Sequence, residues 1–150
     1  MKVLQIVAAV LFASISTLCA AADGLIQVKS PYSVKATADK FEALAKQRGL
    51  TVFARIDHAA GAARVGKSLR PTELLIFGSP TAGTPFIECS QTVAIDLPLK
   101  ALFWEDANAQ VWLGYNDPTY LGQRHATAQC PAIESTGKAL SGLAEAVTAK

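Results

Sequence analysis

Beyond residue 23 the apolar positions change period several times, and each change marks a predicted element. Leu25, Gln27 and Lys29 alternate with Ile26 and Val28, as in a short strand. Ser30-Pro31-Tyr32 breaks it, and Ser33 is placed to cap a helix from Val34 to Arg48. Val34, Ala38, Phe41, Leu44 and Ala45 form its apolar stripe, and Gly49 ends it. Leu50–Ile56 alternate again, with Val52, Ala54 and Ile56 set against Thr51, Phe53 and Arg55. Asp57 then caps a short helix of small residues that Gly66 closes. Glu73–Phe77 is almost unbroken apolar sequence, which predicts a central strand. Gly78–Gly83 is a run of turn residues, and Thr84-Pro85 predicts the cap and first residue of a helix to about Ile95. That helix would pack Phe86, Cys89 and Val93. Lys100–Glu105 and Val111–Asn116 alternate on either side of a turn at 106–110, as a hairpin does. A long connection follows, with one helical turn near Tyr120. The last helix, Pro131–Val147, carries Ile133, Thr136, Leu140, Leu143 and Val147 on one side.

Five strands and about three substantial helices in this order predict an α+β domain. Its sheet would be mostly antiparallel and five-stranded, with the helices packed on one face. Each helix has a single apolar stripe and so a single buried face. The other sheet face must be solvated or covered by a partner, and Trp104 or Trp112 would become a binding or dimer surface if it pointed there.

The first 22 residues follow a different pattern. Lys2 is their only charge, Ile6–Ala13 hold no polar side chain, and Ala20-Ala21-Ala22 offers small residues before Asp23. These are the regions of a signal peptide, and the apolar run falls short of the ~20 residues that span a bilayer. An uncleaved anchor is the plainer alternative, and a lipoprotein reading at Cys19 is disfavoured by Leu18 before it. Cleavage before Asp23 predicts one 128-residue domain, periplasmic or secreted, that meets the membrane only during export. Loss of Lys2 lowers the formal net charge from +2 to +1. The remaining basic residues are scattered, which argues against nucleic acid as a partner. Cleavage also leaves two cysteines, Cys89 and Cys130, in an oxidising compartment. A bond between them would close a loop of about 40 residues worth ~3–4 kcal/mol in the chain-entropy model. Spacing alone leaves open a buried thiol beside an unpaired loop cysteine.

The most exact motif is Gly61-Ala-Ala-Arg-Val-Gly66-Lys67-Ser68, which satisfies the P-loop pattern. A phosphate cradle needs a helix to follow, and Leu69-Arg70-Pro71 prevents one. Gly78, Ser79, Gly83 and Thr84 are better candidates for an anion or ligand loop, because they follow a strand and run into a predicted helix N-terminus. Asp57 and His58 stand together at a strand end, where a histidine beside a carboxylate can act as a base or a ligand. Their plainer roles are a helix cap and a surface residue. His58, His125 and the cysteines lack close metal-ligand spacing, and no C-x-x-C-H haem attachment exists, so neither metal nor cofactor is expected. Pairing Ser79 or Ser90 with His58 or His125 as a nucleophilic constellation has no support from spacing.

Several segments together resemble the bacterial family called domain of unknown function 302. They are Thr51-Val-Phe-Ala-Arg-Ile-Asp-His58, Leu69-Arg-Pro-Thr-Glu-Leu-Leu-Ile-Phe-Gly78, Pro80-Thr-Ala-Gly-Thr-Pro85, Asp96-Leu-Pro-Leu99 and Val111-Trp-Leu-Gly-Tyr-Asn-Asp-Pro118. The resemblance implies a small α+β domain that can pair into dimers, and it implies no reaction. Its Asp-His pair falls on Asp57 and His58, and its Phe-Gly-x-Pro loop on Phe77, Gly78 and Pro80. The resulting expectation is an exported, non-catalytic domain that binds a small ligand or a protein partner, as a homodimer. Tyr115 joins Asp57, His58 and the 78–84 loop as a ligand-binding candidate. A periplasmic enzyme using His58 is the alternative.

Overall fold

The computed structural model describes residues 24–150; the predicted signal segment and Cys19 lie outside the described residues. The elements run β1 (Leu25–Ser30), α1 (Val34–Gln47), β2 (Thr51–Asp57), α2 (His58–Arg64), β3 (Thr72–Gly78) and α3 (Pro80–Cys89). A 3-10 helix (Gln91–Ile95), β4 (Leu99–Glu105), β5 (Val111–Asn116), α4 (Pro118–Arg124) and α5 (Ala132–Thr148) complete the chain. The strands form one five-stranded sheet in the order β1-β5-β4-β3-β2, and every neighbouring pair is antiparallel. The α+β class is therefore as the sequence pattern predicts. β3 lies between β2 and β4, the interior position that its apolar run predicts, and β4 holds the middle of the sheet. Both have neighbours on each side, so their apolar runs are alike and the pattern cannot rank them.

Helices α1 and α5 cover one face. Val34, Ala38, Phe41 and Ala45 of α1 meet Leu75, Phe77, Phe103 and Leu113 from the sheet, and Leu140, Leu143 and Val147 of α5 complete the layer. Phe41 stands edge-on to Phe77 and Phe103, with ring centroids 4.9 and 5.5 Å away. Ser33 caps α1 by accepting from the Ala36 N–H, and Gly49 follows its end at φ +76°, a conformation that disfavours side chains with a Cβ. The buried hydroxyls of Ser30 and Thr37 bond each other at 2.7 Å.

Three local expectations need correcting. The alternation of β2 is interrupted by a register shift between Val52 and Ala54. Val52 and Arg55 consequently pair with the buried Phe77 and Leu75 and share their face, while Ala54 and Ile56 take the open face. Helix α3 starts at Pro80, capped by Ser79, and not at Pro85. Two cap–proline pairs compete here; Ser79 wins because its Oγ reaches the Ala82 N–H at 3.2 Å, which leaves Pro85 inside the helix. Ser90 is extended and separates α3 from the 3-10 helix, so no continuous helix reaches Ile95. The chain around the P-loop pattern is α2, a turn and then β3, with Gly61 in mid-helix and no helix after Lys67.

The β2 shift turns Arg55 toward α1. Its guanidinium bonds Glu73 of β3 at 2.6 Å, Asp39 at 2.6 Å and Glu42 at 3.3 Å. Burial opposes its charge, but the three carboxylates outweigh burial and hold its pKa above the usual range. Asp39 is lowered by Lys35 and then Arg55, and Glu42 by Lys46 and, against burial, by Arg55. Carboxyls with lowered folded-state pKa values stabilise above the ordinary carboxyl range and lose that contribution as pH falls through it. Arg55→Met is expected to cost about 1–3 kcal/mol at neutral pH, because it strands Glu73 while much of the cluster is half-exposed. It should also shrink the loss of stability between about pH 7 and about pH 3. Urea melts at the two pH values check both effects, and an unchanged acid loss would contradict the cluster's role.

Cys89, at the end of α3, is joined to Cys130, before α5, in a disulfide with Cα atoms 5.9 Å apart. It closes the segment that holds the 3-10 helix, the β4–β5 hairpin and α4. A second apolar cluster of Phe86, Val93, Leu121 and Ala132 lies beneath it. Replacing both cysteines by serine is expected to lower stability by about 4 kcal/mol in the chain-entropy model. Thermal denaturation checks this, and an equal melting temperature for the two proteins would refute it.

Candidate functional site

The sequence-predicted residues do not converge on one place. Asp57 and Thr51 stand at opposite ends of β2, and Thr51 pairs with Gly78. Asp57–His58 is therefore about 20 Å of strand away from the 78–84 segment at ~3.3 Å per residue. The Asp57 carboxylate accepts from the Ala60 N–H at 2.8 Å and caps α2, and His58 is exposed beside it. Together they border only a shallow depression that includes Arg64 and Val65. Tyr115 is buried under the helices, paired with Ala101 and Ile26, and lines neither of the cavities near residues 78–84. Burial, followed by the charges of Asp117 and Glu145, raises its phenol pKa.

Gly78, Ser79, Gly83 and Thr84 do come together. They line a cavity of about 310 Å³ between α3, the residues after the 3-10 helix and the end of the sheet. Its apolar wall includes Phe53, Ala82, Phe86, Ile87, Ala94 and Leu97. Ser79, Thr84 and Thr136 supply hydroxyls, and no lining residue carries a charge. Phe53 is available because it sits at the β2 register shift and is 57% exposed. A second cavity of about 600 Å³ shares Ser79, Ala82, Leu99 and Thr136 and lies against α5. Helix α3 has open space on both flanks and buries only Phe86. Gly83 and Thr84 are in the second turn of α3, so the helix N-terminus belongs to Ser79 and Pro80.

The open sheet face forms a second surface. Ala54, Ile56, Leu74, Ile76, Leu102 and Trp104 share it by register. Trp104 and Trp112 stack there with centroids 6.4 Å apart, and the Trp104 ring lies so close to Gly114 that a Cβ would clash at 2.8 Å. Trp112 donates to Asp106 at 2.8 Å; that bond and the Gln110 N–H lower the Asp106 pKa. The lysines of this face are both engaged. Lys29 sits 5.4 Å from the Trp112 ring centre, and Lys100 donates to the Asp96 and Pro98 carbonyls.

Sequence reasoning missed a third group. His125, at the end of α4, places Nε2 2.6 Å from Asp96 Oδ2 and Nδ1 2.9 Å from Thr92 Oγ1. Thr92 Oγ1 lies 3.1 Å from Ser90 Oγ, and Arg124 donates to Asp96 Oδ1 at 3.1 Å. The His125 and Asp96 side chains are 7% and 12% exposed, whereas Thr92 is open to solvent. His125 is 29 positions from Asp96, and no short motif joins residues at that separation. Among the described residues no cluster of three or more His, Cys, Asp or Glu side chains could hold a metal ion.

Comparison with known proteins bears on the fold more than on these sites. A crystal structure of an uncharacterized conserved DUF302 protein from Bacillus stearothermophilus superposes with a TM-score of 0.76 at 18% identity, covering 85% of this chain and 100% of that one. Curated relatives named fluoride-specific ion channel FluC 1, from Brucella suis and Brucella abortus, are each 48% identical over 103 residues, 69% of this chain. The chain spans only 41% and 38% of their lengths. Residues 26–147 match the family described as domain of unknown function DUF302, and the chain belongs to that family.

Proposed function

We propose that this protein is an exported domain that binds a small, uncharged, largely apolar molecule in the cavity beneath α3, and that it works as a homodimer. The observation that carries the ligand reading is the cavity itself. Its apolar wall, three hydroxyls and lack of charged lining suit an apolar body with one or two polar groups, and its volume of about 310 Å³ suits a small one. The missing charge turns the 78–84 segment from an anion site into an apolar one. The enzyme reading at His58 has less support, because the Asp57 carboxylate caps α2 and the imidazole is solvent-exposed. The channel named in the Brucella relatives belongs to polypeptides of which this chain matches less than half. Among the described residues no helix is long and apolar enough to cross a membrane.

The dimer reading comes from the open sheet face. A sheet face bearing Ile56, Leu74, Ile76, Leu102 and a tryptophan stack is more apolar than solvent exposure alone requires. Lys29 rests on the Trp112 ring and Lys100 bonds two carbonyls, so both ammonium groups keep hydrogen-bond or ring contacts at the rim of that face. Two-fold pairing through that face uses one patch twice.

Two experiments test this reading. Protein from the periplasmic fraction should begin at Asp23 and show a bound small molecule in native mass spectra. Ala82→Phe, which fills the cavity, should lose the molecule and keep the fold. A chain starting at Met1, or a wild-type protein with nothing bound, would oppose the reading. Light scattering should give twice the chain mass for the wild type and a folded monomer for Ile56→Lys/Ile76→Lys. A wild-type monomer at every concentration would remove the dimer.

A further inference from the structure

We propose that Thr92 is a nucleophile, activated by His125 and oriented through Asp96, which accepts the acyl group of small activated esters. This site is separate from the cavity described above and does not depend on it. The geometry assigns each group a role. A carboxylate can only accept, so the 2.6 Å contact from Asp96 Oδ2 requires the proton on His125 Nε2. In the neutral ring Nδ1 then carries the lone pair, so the Thr92 hydroxyl 2.9 Å away must be the donor. The Thr92 oxygen is left free to accept from Ser90 at 3.1 Å. A hydroxyl donating to a base that a third group orients is the arrangement that makes a weak alcohol reactive.

Burial divides the cluster in the same way. The base and its carboxylate are 7% and 12% exposed, and the hydroxyl that must meet substrate faces solvent. Arg124 holds the other carboxylate oxygen, Oδ1, which leaves Oδ2 to the imidazole. The two segments are also fixed covalently and by packing. Cys89 precedes Ser90, Cys130 follows His125 by five residues, and Val93 and Leu121 are buried together beneath them. A solvent-facing hydroxyl without a walled cleft favours a small, reactive ester over a large substrate.

In the first step Thr92 Oγ1 attacks the ester carbonyl carbon as its proton passes to His125 Nδ1, and Asp96 steadies the imidazolium. The bond to the leaving alcohol breaks, and that alcohol takes the proton from Nδ1. In the second step water gives a proton to Nδ1 and attacks the acyl-Thr92 carbon; the bond from that carbon to Oγ1 breaks, Oγ1 takes the proton from Nδ1, and the acid is released. No oxidant or second substrate is required. Thr92 and His125 are the catalytic residues, and Asp96 is a positioning residue.

The test uses p-nitrophenyl acetate with the purified protein. The expected result is a nitrophenolate burst approaching one per chain, with the acetyl group mapped to Thr92 by peptide mass spectrometry. Thr92→Val should abolish the burst, because no hydroxyl remains to take the acyl group, and Thr92→Ser should restore it. His58→Ala should leave it unchanged. His125→Ala should abolish it, and the exposed Thr92 variants keep the test valid if that buried change unfolds the protein. Asp96→Asn should move the imidazole proton from Nε2 to Nδ1 in ¹⁵N spectra and slow the burst while leaving its amplitude near one per chain, whereas a general loss of structure would lower the amplitude. No burst, a burst that survives Thr92→Val, or acetylation of Ser90 or a lysine would each overturn the proposal.

Discussion

Phe41 wedged edge-on between Phe77 and Phe103 is the contact on which the architecture depends. It joins the middle of α1 to the interior strands β3 and β4, and fixes where that helix crosses the sheet. The crossing is needed because β1 and β2 occupy opposite edges, so the chain between them must traverse a whole face. Once α1 lies there, α5 can fill the remaining apolar surface, and one sheet face is closed. The other face receives neither of these two helices. Its apolar residues are as much a consequence of this layering as the core is.

The candidate sites sit where the layering ends. At the end of the sheet where β3 gives way to α3, helix α3 leans over the edge and buries only Phe86, so space remains on both of its flanks. Beyond it, the 3-10 helix and α4 are too short to pack by apolar stripes alone. They are held by the Cys89–Cys130 bond, a small apolar cluster and the Asp96–His125 contact. A region built this way can keep polar groups in fixed positions near solvent, which a deep core cannot do without a desolvation cost. The Thr92–His125–Asp96 cluster and the cavity beneath α3 are neighbours for this reason, although they require nothing of each other.

Much of this was legible in the chain because it is local or periodic. The stripe of α1, its Ser33 cap and Gly49 stop, the β4–β5 hairpin and the Asp57 cap each follow from a few residues of sequence. The errors arose where two local signals of equal strength competed. Ser79-Pro80 and Thr84-Pro85 both spell a helix start, and only the reach of Ser79 Oγ to Ala82 distinguishes them. In β2 a one-residue shift reverses every later side chain, and neither Phe53 nor Ala54 announces it. Tyr115, a ligand-binding candidate, alternates in phase with Val111 and Leu113 and is buried with them on the face that α1 and α5 cover.

By itself the sequence determined the element types and the α+β class, since these rest on period and capping, which act over neighbouring residues; the family followed from the resemblance carried by segments such as 69–78 and 111–118. The tertiary structure alone decided which side chains meet. The Cys89–Cys130 bond joins residues 41 positions apart, and the Asp96–His125 contact joins residues 29 apart. Chain separation of that size carries no geometric information until packing brings the segments together, because the loop between them can close in many ways at nearly equal entropy. Asp57 and His58 made the opposite case. They are adjacent in sequence, and the fold sends one side chain to a helix cap and leaves the other in solvent.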